Sequence, residues 1–272
     1  MHKTRRMRAP TRPSLVLITS TKPRHRFLAY ALAAVCDLAG VIAEGKRAGA
    51  APAPESDPLM REHVEGFAAA EQRFFGQAQS FPVAAEHTVA LAHGEANSDA
   101  AFAWIQERRP TYVVLFGSSI IQDRLLNAFP DRVVNIHLGL SPYYRGTATN
   151  FWPLVEGEPE CVGATIHLAS ARVDAGPILR QVRPAMGPDD DCHTIGCRTI
   201  EAGARTLAAT LADYAAGSVL PVLQQPGGGK LFRNRDFNAD AIRRMRERFA
   251  QGMIPAYLAD RARRDARFPI VA

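Results

Sequence analysis

Three residues carry the chemistry that this chain offers most plainly: Asn135, His137 and Asp174. The first two stand in Val133-Val-Asn-Ile-His-Leu-Gly-Leu-Ser-Pro-Tyr-Tyr-Arg-Gly146, and because side chains alternate along a strand they fall on one face. The β-branched Val133, Val134 and Ile136 mark a buried strand, which Pro142 and Gly146 turn into a loop. A carboxamide beside an imidazole at the end of such a strand is polar surface that a packed core does not use. An imidazole held by a carboxylate keeps a fixed orientation and is expected to have a raised pKa, which suits it to act as an acid or to stabilise a developing oxyanion. The carboxylate can receive protons, and the amide can donate to a carbonyl oxygen under attack. No Ser or Cys stands out as an activated nucleophile. The set therefore points to direct attack of a substrate amine on a bound acyl group, without a covalent enzyme intermediate.

The elements that must position these residues can be traced along the chain. Ser14 to Thr19 reads as a first strand, followed by a basic turn, Thr21-Lys-Pro-Arg-His-Arg, and a helix whose apolar face holds Phe27, Leu28, Ala31, Leu32, Val35 and Leu38. With a second strand from Ala39 to Glu44, this is a βαβ unit, which predicts an α/β fold with a mostly parallel, Rossmann-like sheet flanked by helices. Gly45 to Pro58 reads as a surface loop, and Met60, Val64, Phe67, Ala70 and Phe74 mark an amphipathic helix. Thr88 to Leu91 is a short strand, Asp99 to Arg108 a helix capped by Asn97 or Ser98, and Tyr112 to Phe116 a buried strand running into Gly117-Ser-Ser. A helix is expected from Thr147 to Val155, limited by Pro153. Strands at Val162 to Leu168 and Ile178 to Arg183 enclose the connection that carries Asp174. Asp189-Asp-Asp suits the start of a long helix, about Cys192 to Ala216.

Composition narrows the class. The 272 residues are 47% hydrophobic and 22% charged, without any apolar run of membrane-spanning length, and the run after the Arg-rich N-terminus is too short for a signal peptide; a cytoplasmic location is the expectation. Four cysteines do not make a disulfide framework in a chain this long. His193 and Cys197, four apart on one helix, can approach one another as ligands, but no second pair has ligand spacing, so no metal is expected. The net charge of +6 is uneven: residues 1–13 hold five basic and no acidic residues, and residues 230–272 hold eleven basic and five acidic. Residues 1–13 read as a basic tail, residues 14–225 as the catalytic domain, and residues 226–272 as a short basic extension with one helix, about Ala239 to Ala250, beyond the boundary at Pro226-Gly-Gly-Gly.

Three stretches resemble the formyltransferases that use 10-formyltetrahydrofolate, a family that includes glycinamide ribonucleotide formyltransferase, methionyl-tRNA formyltransferase and the nucleotide-sugar N-formyltransferases. They are Asn135-Ile-His137 with Leu140-Ser-Pro142 and Arg145-Gly146; Gly163-Ala-Thr-Ile-His167; and Asp174-Ala-Gly176-Pro-Ile178. The resemblance implies that His137 polarises the formyl group, Asn135 binds its oxygen, and Asp174 orients the histidine and assists proton transfer. It places the folate against two loops, represented by Phe116, Gly117, Ser118, Ser119 and Ile120 in one and Leu168, Ala169 and Val173 in the other. His167 matches a family strand position and is read as structural.

The acceptor is less well marked. The first turn lacks a glycine-rich phosphate loop, which argues against NAD, ATP or glycinamide ribonucleotide, although Lys22, Arg24 and Arg26 can still meet an anion beside a helix N-terminus. Tyr143, Tyr144 and Asn150 follow the catalytic strand and are the further acceptor candidates, together with Trp152. The residues after Gly229 look too few for a full tRNA-binding barrel, so a small amine, favoured as a nucleotide-linked amino sugar, ranks above tRNA. Where the family has Pro-Ser after the histidine, this chain has Leu138-Gly139. Two other readings remain in other classes: a hydrolase releasing formate from the folate with the same triad, and a non-enzymatic RNA-binding module built on the basic ends.

Overall fold

The computed structural model describes residues 12–46, 57–224 and 229–272. Most of the basic N-terminal tail, most of the Gly45 to Pro58 loop and the start of the Pro226-Gly-Gly-Gly boundary lie outside these residues.

The apolar runs predicted as strands form one sheet. β1 (Ser14–Thr19), β2 (Asp37–Glu44), β3 (Thr88–Leu91), β4 (Tyr112–Leu115) and β5 (Val133–His137) run parallel, and β7 (Ala164–Leu168) and β8 (Ile178–Val182) close the far edge antiparallel. The strand order is β3-β2-β1-β4-β5-β7-β8. The order in which strands are added therefore reverses at β1, and the crevice at the carboxyl ends of β1 and β4 lies at a switch point, where open α/β sheets hold their ligands.

Alternation along β1 explains the two layers of helix. Leu15 and Leu17 face a core shared with α1 (Pro23–Val35), α2 (Pro58–Phe75) and α6 (Cys192–Ala215), whereas Val16 and Ile18 face a second core with α3 (Asp99–Glu107) and α4 (Asp123–Ala128). Ser98 caps α3, its hydroxyl accepting from the Ala101 amide at 3.2 Å. Asp191 caps α6 through the Thr194 amide at 2.7 Å, so the acidic triplet does mark a helix start.

The C-terminal segment departs from expectation. Its described residues hold three α-helices where the sequence predicts one helix: α7 (Ala239–Ala250), α8 (Met253–Ala259) and α9 (Arg261–Ala266). The first two share a third core with β6 (Tyr144–Gly146) and α5 (Trp152–Glu156), in which Trp152 stacks on Phe232 at 4.2 Å. Phe232 belongs to β9 (Lys230–Phe232), paired parallel to β6. The helix expected over Ala239 to Ala250 is α7, whereas β9, α8 and α9 escape sequence patterning because each is too brief to show a period. The helix predicted from Thr147 begins only at Trp152. Among the described residues, no helix is long and apolar enough to cross a membrane.

Candidate active site

The end of β5 delivers Asn135 and His137 to the wall of a cavity of about 630 Å³, within the range of small-molecule sites. Asp174 reaches the same wall from the β7–β8 connection, where its backbone lies in the left-handed region at φ 52°. Asp and Asn tolerate that region better than most residues, at a cost met where surrounding structure fixes the turn. Gly176 supplies part of that constraint, since a Cβ there would stand 1.8 Å from the Leu168 carbonyl oxygen.

Asp174 sits between two imidazoles. Its Oδ2 is 3.3 Å from Nδ1 of His137, and its Oδ1 is 3.6 Å from Nε2 of His167. Asn135 completes the cluster, its amide donating to Nε2 of His167 at 3.0 Å and to Oδ1 of Asp174 at 3.4 Å. Because Nδ1 of His167 donates to the Leu168 carbonyl at 2.8 Å, Nε2 is the acceptor in the neutral ring. His167, read from the sequence as a structural residue, thus orients the Asn135 carboxamide. A substrate carbonyl entering this cluster competes for the amide hydrogen that points at Asp174, the longer of the two contacts.

The protonation states are set by burial and pairing. Burial lowers the His137 pKa and outweighs the attraction of Asp174, which corrects the raised value expected from a His–Asp pair alone. Burial works against the Asp174 carboxylate too, but the imidazoles of His167 and His137 overcome it and hold its pKa below the usual value. The pair therefore rests as a carboxylate and a neutral imidazole. Its Nε2 lies 3.2 Å from the Thr149 hydroxyl, which also reaches the Leu138 carbonyl. A hydroxyl has one hydrogen, so Thr149 can donate to the neutral ring or turn to Leu138 and accept from a protonated one.

The Leu138-Gly139 departure has a steric reason. A Cβ at Gly139 would come within 2.7 Å of His137 Nε2 and 2.6 Å of Thr149 Oγ1. Thr149 occupies the room that glycine leaves.

Of the residues assigned to the folate loops, Phe116, Gly117, Ser118, Ser119, Ile120, Ala169 and Val173 line the cavity, whereas Leu168 is buried in the sheet core. Glu44, itself buried, anchors the first loop by accepting from the Ser119 amide at 2.6 Å and its hydroxyl at 2.8 Å. Of the acceptor candidates, Arg24 and Asn150 line the cavity, but both are engaged: Arg24 pairs with the buried Glu71, and the Asn150 side chain accepts from the Gly163 amide at 3.0 Å. Lys22 is exposed at the start of α1, and Arg26 donates to the Gln79 carbonyl at 3.0 Å. Tyr143 donates to the Pro269 carbonyl at 2.6 Å, and Tyr144 is buried with its hydroxyl on Glu158 at 2.5 Å. None of these four lines the cavity.

His25 escaped sequence reasoning because a single histidine in a basic turn carries no spacing signal. Its Nδ1 lies 2.7 Å from the Thr19 hydroxyl, which itself donates to the Phe116 carbonyl at 2.9 Å, so Nδ1 holds the hydrogen. Burial, with the charges of Arg24 and Lys46, keeps the ring neutral. Nε2 has no hydrogen-bond partner among the described residues, and the ring lines the cavity.

Residues 68–211 match the family model described as formyl transferase, more than half of the 272-residue chain. The chain belongs to the formyl transferase family. Over 117 residues it is 42% identical to a methionyl-tRNA formyltransferase of Heliobacterium modesticaldum, a match that covers 43% of this chain and 35% of that relative. Among solved structures, a sugar N-formyltransferase of a Shewanella species aligns at 20% identity and a TM-score of 0.54, covering 83% of this chain and 78% of that one. A glycinamide ribonucleotide transformylase 1 of Symbiobacterium toebii aligns at 20% identity and a TM-score of 0.53, over 79% and 95% of the two chains. At such identities the likeness is one of fold. The formyl transferase match spans β4, β5, β7 and β8 and therefore includes all three residues of the cluster.

Proposed function

We propose that this formyl transferase moves a formyl group from 10-formyltetrahydrofolate to a primary amine of a small metabolite. The observation that carries the reading is the Asp174 carboxylate lying between His137 and His167, with Asn135 beside it, on the wall of a ligand-sized cavity. The cavity fits a folate head group: Phe116 and Ile121 give it apolar surface, and the loop held by Glu44 gives it a backbone edge.

In this reading the amine nitrogen attacks the formyl carbon while Asn135 donates to the formyl oxygen, where negative charge develops. Neutral His137, its tautomer fixed by Asp174, takes the amine proton at Nε2. The bond between the formyl carbon and N10 breaks, and N10 receives a proton in return, so the ring ends the cycle neutral. His137 thus serves first as base and then as acid, and its lowered pKa leaves the ring neutral for the first step.

The favoured acceptor is a nucleotide-linked amino sugar. Phe67, Phe151 and Phe237 line one part of the cavity, and such rings offer flat apolar faces to a sugar or base. An aminoacyl-tRNA ranks lower. The C-terminal arginines are largely spent on carboxylates of this chain: Arg244 pairs with Glu156 at 2.8 Å, Arg246 with Glu62 at 3.0 Å and Arg264 with Glu160 at 2.6 Å. Charges so neutralised add little to phosphate binding.

Incubation with 10-formyltetrahydrofolate and a panel of amines, followed by release of tetrahydrofolate and of formate, tests the proposal. Release that needs an amine and yields its formamide supports it; formate released at the same rate without amine identifies a hydrolase instead.

A further inference from the structure

A second group of reactive side chains lies on the cavity wall outside the Asn135, His137 and Asp174 cluster. His63 comes from the second turn of α2, and Cys192 and His193 open α6. One donor atom from each residue lies within 4.8 Å of the other two, and all three residues line the cavity.

Ordinary packing leaves features of this cluster unexplained. Nδ1 of His63 is buried without a hydrogen-bond partner among the described residues, and the two imidazoles lie with centroids 4.6 Å apart and planes tilted by 48°. The helices are shaped to admit the rings: a Cβ at Gly66 would stand 2.7 Å from Nε2 of His193. The surrounding charges balance, with Arg73 and Arg246 set against Asp191 and Glu62.

We propose that His63, Cys192 and His193 form a three-ligand site for a divalent ion of the zinc class, with its fourth coordination position open to the cavity. Two imidazoles and a thiolate are the donors a borderline ion of this kind prefers. Three protein ligands with a fourth place free is the arrangement of zinc sites that take a water or a donor group of a substrate. Tetrahedral coordination brings donor atoms to about 3.3–3.7 Å from one another, so the cluster closes by about an ångström on binding. The Cys192 proton passes to solvent as the sulfur–metal bond forms, so affinity rises with pH. Sequence spacing pairs His193 with Cys197 instead, but Cys197 is buried in the sheet core, and His63 comes from a helix far earlier in the chain.

The untagged full chain, stripped with chelator, is titrated with Co²⁺ under an optical spectrum and then with Zn²⁺ against a chromophoric chelator. The expected result is one Co²⁺ per chain with a thiolate-to-cobalt charge-transfer band, displaced by Zn²⁺. Cys192→Ser loses that band, and His63→Ala and His193→Ala each weaken Zn²⁺ binding by at least about tenfold. His137→Ala binds as the unaltered chain does, which separates this site from formyl transfer. The proposal is overturned by absence of the band in the unaltered chain, by its persistence in Cys192→Ser, or by Zn²⁺ affinity indifferent to both histidine substitutions or weakened equally by His137→Ala.

Discussion

Oδ2 of Asp174 stands 3.3 Å from Nδ1 of His137, although one residue belongs to a loop between antiparallel strands and the other ends a parallel one. The contact fixes which imidazole nitrogen carries the hydrogen and leaves the other for chemistry. Asp174→Asn keeps a side chain that tolerates the left-handed backbone but removes the charge and allows the wrong tautomer. Transfer should fall by about 10²–10⁴ in kcat, the scale seen when a histidine loses its orienting carboxylate. Circular dichroism should remain that of the unaltered chain. Since Asp174 raises the His137 pKa against burial, the residual activity should also show its acid limb at lower pH.

The rate of the unaltered enzyme should rise with pH along an acid limb that lies below the ordinary histidine value of 6.5 and then level off. The base must be neutral to act, and burial disfavours its charged form. A limb above 6.5 would show an imidazolium stabilised by Asp174 and remove the base-first sequence.

Stability should follow pH for a related reason. In the chain stripped of metal by chelator, burial lowers the pKa values of His25, His63, His137 and His193, that of His63 to about 4. Below pH 6.5 the unfolded chain takes up protons that the fold refuses, so Tm should hold above that pH and decline from there towards 4. The depressed carboxylates Asp174 and Asp191 lose their contribution only at still lower pH. His63→Gln should make the decline between 6.5 and 4 shallower in thermal melts.

Gly139→Ala should cost about 1–3 kcal/mol of stability, as overpacking in a filled interior does, and should lower kcat by displacing His137 or Thr149. Adding Thr149→Ala returns space, and denaturant titration should show part of the loss restored. An alanine at this position with unchanged activity and unchanged midpoint would show that His137 and Thr149 do not depend on the absence of a side chain there.

His25→Phe keeps the ring's bulk and removes the bare Nε2. If that nitrogen accepts a hydrogen from bound substrate, KM should rise about threefold to tenfold with little change in kcat, the worth of one neutral hydrogen bond. The substrate whose KM moves identifies which ligand His25 faces.

The parallel half of the sheet was legible because Ser14–Thr19, Thr88–Leu91 and Val133–His137 are apolar runs bounded by clear breakers. So was the convergence of Asn135 and His137, which needs only strand alternation, while Asp174 was placed by resemblance. Properties that depend on depth were not legible. The direction of the His137 pKa turned on burial outweighing a carboxylate, and the role of Tyr144 turned on a core shared with the C-terminal segment, where the short β9 and α8 gave no period. Arg24 looked like a phosphate ligand because sequence could not show Glu71 beside it. The His63, Cys192 and His193 cluster was invisible because two helices distant in the chain assemble it.

Single-turnover transfer of an isotopically labelled formyl group from 10-formyltetrahydrofolate to amine, comparing the unaltered chain with His137→Gln, tests the central claim most directly. Label should appear in the formamide of the amine with the unaltered chain and should be slowed by at least about a hundredfold in the variant, the scale of a lost general base. Label arriving in the amine at equal rates in both proteins would contradict the account.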